Sequence, residues 1–225
     1  GERLAVRHAR LSVPRYRLLG NAAIQLAGDP ALGLEMGRLR KPGHLGLAGL
    51  TAAQAPTVRE AARALIRYEA LYASNYRGSS SFHEDASGAW LRFYSISPYN
   101  AYNRFVVDTV LASWISQLSR LSGPPLVPMA IHIEFEAPDY ASRHDEQFGR
   151  PVIFGAEANQ LQLDQRSLAL RNPDHCPGTW RHLLELCAAE LERRPRTRSL
   201  RHRVAQILGP MLTAHAPDLQ QLAAP

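Results

Sequence analysis

The run from Asn103 to Leu121 constrains the fold more than any other segment. Phe105, Val106, Val107, Val110, Leu111, Trp114, Ile115, Leu118 and Leu121 fall on almost every azimuth of a helix, so no single apolar stripe can hold them. Such a helix must be covered on more than one side. The chain needs either other elements wrapped around a central helix or a second copy that covers what the first leaves bare.

The remaining segments supply elements to do this. Tyr16, Leu19, Ala23, Ile24 and Ala27 sit at helical spacing within the first 37 residues, before Gly28-Asp29-Pro30 stops the run. Thr57-Val58-Arg59-Glu60 has the form of a capping box. It predicts a helix from Thr57 to Arg77 with the stripe Val58, Ala61, Ala62, Leu65, Ile66 and Tyr72, ended by Gly78-Ser79-Ser80. Asp85-Ala86-Ser87-Gly88 then turns a hairpin, with Phe82 on one arm and Trp90 to Ile96 on the other. Val127, Met129, Ile131, Ile133 and Phe135 alternate with Pro128, Ala130, His132, Glu134 and Glu136, the period of a half-buried strand. Val152/Phe154 and Leu161/Leu163 predict a second hairpin, and Thr179 caps a helix with the stripe Trp180, Leu183, Leu184, Cys187 and Leu191. The expected architecture is α+β, a small mixed sheet with two hairpins flanked by helices.

With 225 residues, 45% of them hydrophobic, the chain can bury a large core. No apolar run reaches the length of a membrane span and no signal-peptide layout opens the chain, so a cytoplasmic location is expected. The net charge of +6 is local: Arg193, Arg194, Arg196, Arg198, Arg201 and Arg203 cluster without an acid among them. Setting aside those six and Asp218 leaves 20 basic and 19 acidic residues on residues 1–192, so the body has no general reason to attract nucleic-acid phosphates. Cys176 and Cys187, the only cysteines, read as free thiols of a reducing compartment.

Three stretches carry a family pattern: Pro128-Met129-Ala130-Ile131-His132-Ile133-Glu134-Phe135-Glu136-Ala137-Pro138-Asp139-Tyr140, Phe148-Gly149-Arg150-Pro151-Val152-Ile153-Phe154-Gly155-Ala156, and Leu161-Gln162-Leu163-Asp164. Together with Gly28-Asp29-Pro30-Ala31-Leu32-Gly33-Leu34 and Ala55-Pro56-Thr57 they resemble the effector-binding domain of AraC-type bacterial transcription regulators, in the arabinose-binding-like branch. The resemblance implies a non-enzymatic module that binds a small organic effector and pairs with a second copy; the alternatives are a hydrophobic-ligand-binding enzyme or carrier domain, or a ligand-free dimerisation scaffold. It also implies contact with DNA only through an attached helix-turn-helix half. Residues 199–225, with Leu200, Val204, Ile207 and Leu208 and then Pro217 to Ala224, look like the start of that half without its recognition helices. The expected organisation is thus an effector-binding and dimerisation domain over 1–192, a basic linker over 193–198 and a truncated start of the helix-turn-helix domain over 199–225.

Other chemistries lack support in the residues. Gly43, Gly46 and Gly49 are three apart, but a phosphate loop needs a strand before it, and close backbone packing is the better account. His182 and Cys187 lie about 140° apart around a helix, unsuited to one metal, and no G-x-S-x-G elbow is present. No cofactor is expected. The aromatic residues point instead to a pocket: Tyr68, Tyr72 and Tyr76 at i, i+4, i+8, facing Trp90, Arg92 and Tyr94 on the neighbouring strand. Tyr99, Tyr102, Asn103 and Arg104 begin the central helix. The expected ligand-binding residues are Tyr72, Trp90 and Tyr94, with Arg104 as partner for an acidic group.

Overall fold

The computed structural model describes residues 13–73, 80–95 and 99–193. In chain order the elements are α1 (Val13–Ala27), α2 (Leu32–Leu39), α3 (Gly46–Ala53), α4 (Val58–Arg67), β1 (Ser81–Glu84), β2 (Gly88–Phe93), α5 (Ala101–Ser122), β3 (Ala130–His132), α6 (Ala141–Phe148), β4 (Asn159–Asp164), α7 (Gln165–Ala169) and α8 (Pro177–Arg193). The α+β class follows directly.

The central helix is α5, and the chain itself covers it. α1, α2, α4, α6 and the sheet all pack on it, burying Phe105, Val107, Leu111, Trp114, Ile115, Leu118 and Leu121. α2 comes so close that a Cβ added at Gly37 would lie 2.6 Å from Ala112 Cβ and 2.7 Å from the Thr109 carbonyl. Glycines at positions 33 and 37 are what allow this approach. Among the described residues the apolar side chains of α5 are buried or half-buried by the chain itself, so they give no reason to invoke a second copy.

The sheet has the order β1-β2-β4-β3, and each of these pairs is antiparallel. The first hairpin forms, with Phe82 opposite Leu91, and Asp85 Oδ1 accepts from Ser87 N and Gly88 N to close the turn. The second does not form. β4 enters the sheet between β2 and β3, while the Val152–Phe154 segment lies on the far side of β3. There the backbone hydrogen bonds Ile133 N to Ile153 O and Ile153 N to Ile131 O make a parallel bridge, the one parallel contact among the described residues. The alternation after Val127 is obeyed only in part: Ile131, Ile133 and Phe135 are buried, but Val127 and Met129 are exposed because the ladder begins at Ala130.

α4 starts as expected, with Thr57 Oγ1 accepting from Glu60 N. It stops ten residues earlier than Arg77, at Arg67, and a 3-10 turn over Glu69–Leu71 follows. α8 begins at Pro177, so Thr179 lies inside the helix, where its hydroxyl donates to Cys176 Sγ. Gly49 packs against the Pro42 carbonyl and Leu45, the close backbone contact expected for the spaced glycines. Tyr76, Tyr102's side chain and the linker and tail over 194–225 fall outside the described residues.

Candidate functional site

Side chains on β2 alternate strictly. Ala89, Leu91, Phe93 and Ser95 are buried on the face that meets the helices, where Phe93 sits edge-on to Trp114 with ring centroids 6.4 Å apart. Trp90, Arg92 and Tyr94 take the other face and are half-buried. On that face Arg92 Cζ lies 5.1 Å from the centre of the Tyr94 ring, and the Trp90 ring lies 5.1 Å from His132 of β3. The sheet register puts Gln160 and Gln162 of β4 between these strands, with Gln160 Nε2 3.2 Å from His132 Nδ1.

Tyr72 belongs to the opposite side. Its hydroxyl donates to the Leu65 carbonyl at 3.3 Å, and burial pushes its titration up, with the nearby Glu69 carboxylate acting in the same direction. Trp114 is a further hydrogen-bond neighbour. The expected aromatic wall therefore does not assemble, because α4 ends before Tyr68 and packs on the core face of the hairpin, where Arg63 lies 5.5 Å from the Phe82 ring. Trp90 and Tyr94 share a surface; Tyr72 does not join them.

Arg104 stands at the end of the sheet where β2 leaves it. Its Cζ lies 5.6 Å from the Phe135 ring centre, and the Tyr99 ring meets the same ring edge-on at 5.4 Å. Tyr99 donates to Glu134 Oε2 and accepts from Asn159 Nδ2 at 2.8 Å, while Asn159 Oδ1 takes the Glu134 N–H at 3.0 Å. Burial and then the Glu134 bond push the Tyr99 phenol up in pKa. Arg92 Nε and Arg104 Nε are both buried without an acceptor. An arginine with a desolvated N–H and an aromatic ring beneath it is suited to a planar anion such as a carboxylate.

Beneath Arg104 lies a buried polar cluster that sequence reasoning missed. Asp108 Oδ2 accepts from Tyr140 at 3.0 Å, and Asp108 Oδ1 is 2.9 Å from His144 Nε2. Both Asp108 and His144 are fully buried, and Tyr140 and His144 stack with centroids 5.3 Å apart. Burial pushes the Asp108 carboxyl up, opposed by the hydrogen bond and charge of His144, by Tyr140 and by the charge of Arg104. Two signals in the sequence pointed there. Asp108 is the one carboxylate in α5, set among its apolar residues, and so requires a partner, and His144 shares a helix face with the apolar Phe148 four residues on. Among the described residues no group of three or more metal-ligating side chains occurs, and no helix is long and apolar enough to cross a membrane.

Comparison with known proteins agrees with this fold. The family described as the arabinose-binding domain of AraC transcription regulators, N-terminal, matches residues 2–172. An ornithine utilization regulator of Pseudomonas aeruginosa is 28% identical over 171 residues, spanning 74% of this chain and 50% of the relative. The crystal structure of the transcriptional regulator CdpR from Pseudomonas aeruginosa superposes with a TM-score of 0.57 at 16% identity, covering 86% of this chain and 62% of that one, a likeness of fold. The chain thus spans about half the length of the curated relative it matches. It belongs to the AraC-type transcription regulators, in the branch whose N-terminal part is an arabinose-binding domain.

Proposed function

We propose that residues 1–192 form the effector-sensing and dimerisation module of a cytoplasmic AraC-type regulator. The module takes a small organic acid at the end of the sheet, with Arg104, on the helix side beside Phe135, as the anion's partner and Trp90 and Tyr94, on the other face of β2, as further candidate contacts. Tyr72, bonded to the Leu65 carbonyl, serves packing. The observation that carries this reading is the state of Arg104, whose Nε is buried without an acceptor while its guanidinium lies over Phe135. A buried donor left unmade costs about 1–3 kcal/mol, which a bound carboxylate would return. The function is linkage: a ligand that favours one arrangement of the module changes how the attached DNA-binding halves meet their half-sites. DNA contact comes through a helix-turn-helix half following the 193–198 linker, of which residues 199–225 form the start.

Thermal-shift screening against aromatic acids, fatty acids, sugars and amino acids tests the reading; ornithine belongs in the panel because one relative regulates its utilization. A ligand at 100 times its Kd adds about 2.7 kcal/mol to stability. For a domain of this size that is a rise of roughly 5–11 °C. Arg104→Ala should abolish the shift for an acidic ligand, and Trp90→Ala or Tyr94→Ala should weaken binding more than they lower the melting temperature. Variants that melt far below the parent yet bind unchanged would assign these side chains to packing and put the site elsewhere.

A further inference from the structure

The end of the sheet carries a second charge without an ion pair among the described residues, and it is negative. Glu134 follows β3 and is half-buried; its backbone N–H is tied to Asn159 and its Oε2 accepts from Tyr99. Among the described residues neither Glu134 nor Arg104 is joined to an opposite charge by an ion pair. Tyr99 links the two through the Phe135 ring. Arg104 Cζ is 5.6 Å from its centre, while Glu134 precedes it in the chain and is held by Tyr99, whose own ring is 5.4 Å away. Tyr99 is itself fixed, since its hydroxyl receives Asn159 Nδ2 while donating to the carboxylate, so Glu134 is drawn to Tyr99. Arg104 feels the charge of the buried Asp108 and Glu134 accepts from Tyr99, but among the described residues neither is met by an ion pair that would offset its partial desolvation in full.

We infer that the ligand of this site carries both a carboxylate and an ammonium group, an amino acid, with Glu134 accepting from the ammonium and Arg104 holding the carboxylate across Phe135. The inference rests on the reading of Arg104 given above. A simple acid satisfies Arg104 alone and brings a second negative charge towards Glu134. An amine alone leaves the guanidinium unmatched. A zwitterion answers both, and the apolar ring between them offers a surface for the carbon atoms that join its two ends. Loss of one charge-assisted hydrogen bond on desolvation corresponds to roughly ten- to hundredfold in affinity.

Isothermal titration of the whole chain with the L-amino acids tests the inference, each hit being compared with the matching acid that lacks the amino group and the matching amine that lacks the carboxyl. At least one amino acid should bind, and both truncated analogues should bind roughly tenfold or more weakly. Glu134→Gln keeps an acceptor for Tyr99 while removing the charge; it should weaken the amino acid by a similar factor and leave the deaminated acid unchanged or tighter. An acid that binds as tightly as its amino acid, through Arg104 and irrespective of Glu134→Gln, overturns the inference and leaves the effector reading intact. So does the absence of binding by every amino acid when another Arg104-dependent acid binds. Ligands indifferent to both Arg104→Ala and Glu134→Gln overturn the two together.

Discussion

Glu84 shows how one side chain joins two elements. At the end of β1 it receives Arg59 Nε at 2.9 Å and Arg63 at 2.8 Å, both from α4, so the helix is pinned to the outer strand of the sheet. Burial raises its pKa, but the hydrogen bonds from Arg59 and Gln165 and the charges of both arginines outweigh it and hold the carboxyl below the usual range. A carboxylate with a depressed folded pKa adds stability above its unfolded pKa and loses it as pH falls through the folded value. Part-exposed pairs of this kind contribute little each, so Glu84→Gln should cost about 1 kcal/mol at neutral pH. The gap between parent and variant should close below about pH 4.3, as the parent's carboxylate takes up protons. Chemical denaturation from pH 7 to pH 3 reads this directly; a gap of constant size would show that the charge is not what stabilises. Residue-level pattern reached far at some positions and failed at others. Ile131, Ile133 and Phe135 are buried as their alternation requires, and Arg104 stands at the start of α5. His144 sits in a helix of mostly polar residues, yet it is fully buried against Asp108.

At the scale of elements, the contact between α2 and α5 depends on missing side chains. Alanine favours helix over glycine by up to about 1 kcal/mol wherever space allows. At Gly37 there is none, since the new Cβ would press on Ala112 and on the Thr109 carbonyl, and overpacking of a fitted contact costs about 1–3 kcal/mol. Gly37→Ala should therefore destabilise. Gly178→Ala in the first turn of α8, where an added Cβ meets nothing within 4 Å, should be neutral or gain up to about 1 kcal/mol. Differential scanning calorimetry on the two variants gives the signs, and a Gly37→Ala protein as stable as the parent would mean that α2 can back away from α5 at no cost. The spaced glycines at 33 and 37 were present in the sequence, but which helix they face was not. Helical spacing identifies a surface that can be approached, and only the folded chain names what approaches it.

For the whole molecule, association is the open property. The apolar faces of α5 are satisfied within one chain, so the case for a homodimer rests on the paired half-sites that regulators of this type use. Sedimentation equilibrium should return twice the 25.0 kDa chain mass, with or without ligand. A species that stays at the chain mass at high micromolar concentration in both states would remove dimerisation from the module's role. α5 substitutions such as Trp114→Ala should lower the melting temperature, by about 3–5 kcal/mol of stability, without changing the mass of the folded species.

The sequence by itself determined the local starts and turns and the family. Thr57 opens α4 because its hydroxyl meets an orphan N–H three residues on, Asp85-Ala86-Ser87-Gly88 closes the hairpin, and α5 is wrapped because its apolar residues fall on almost every face. Each of these is a short-range consequence of side-chain chemistry. Tertiary structure decided that β4 lies between β2 and β3, that Tyr72 and Trp90 are on opposite sides of a strand, and that Arg104 and Tyr99 meet one ring, with Glu134 bonded to Tyr99. Periodicity states which face of an element must be covered. It carries no information about the distant segment that covers it, because that choice is made by packing among elements tens of residues apart.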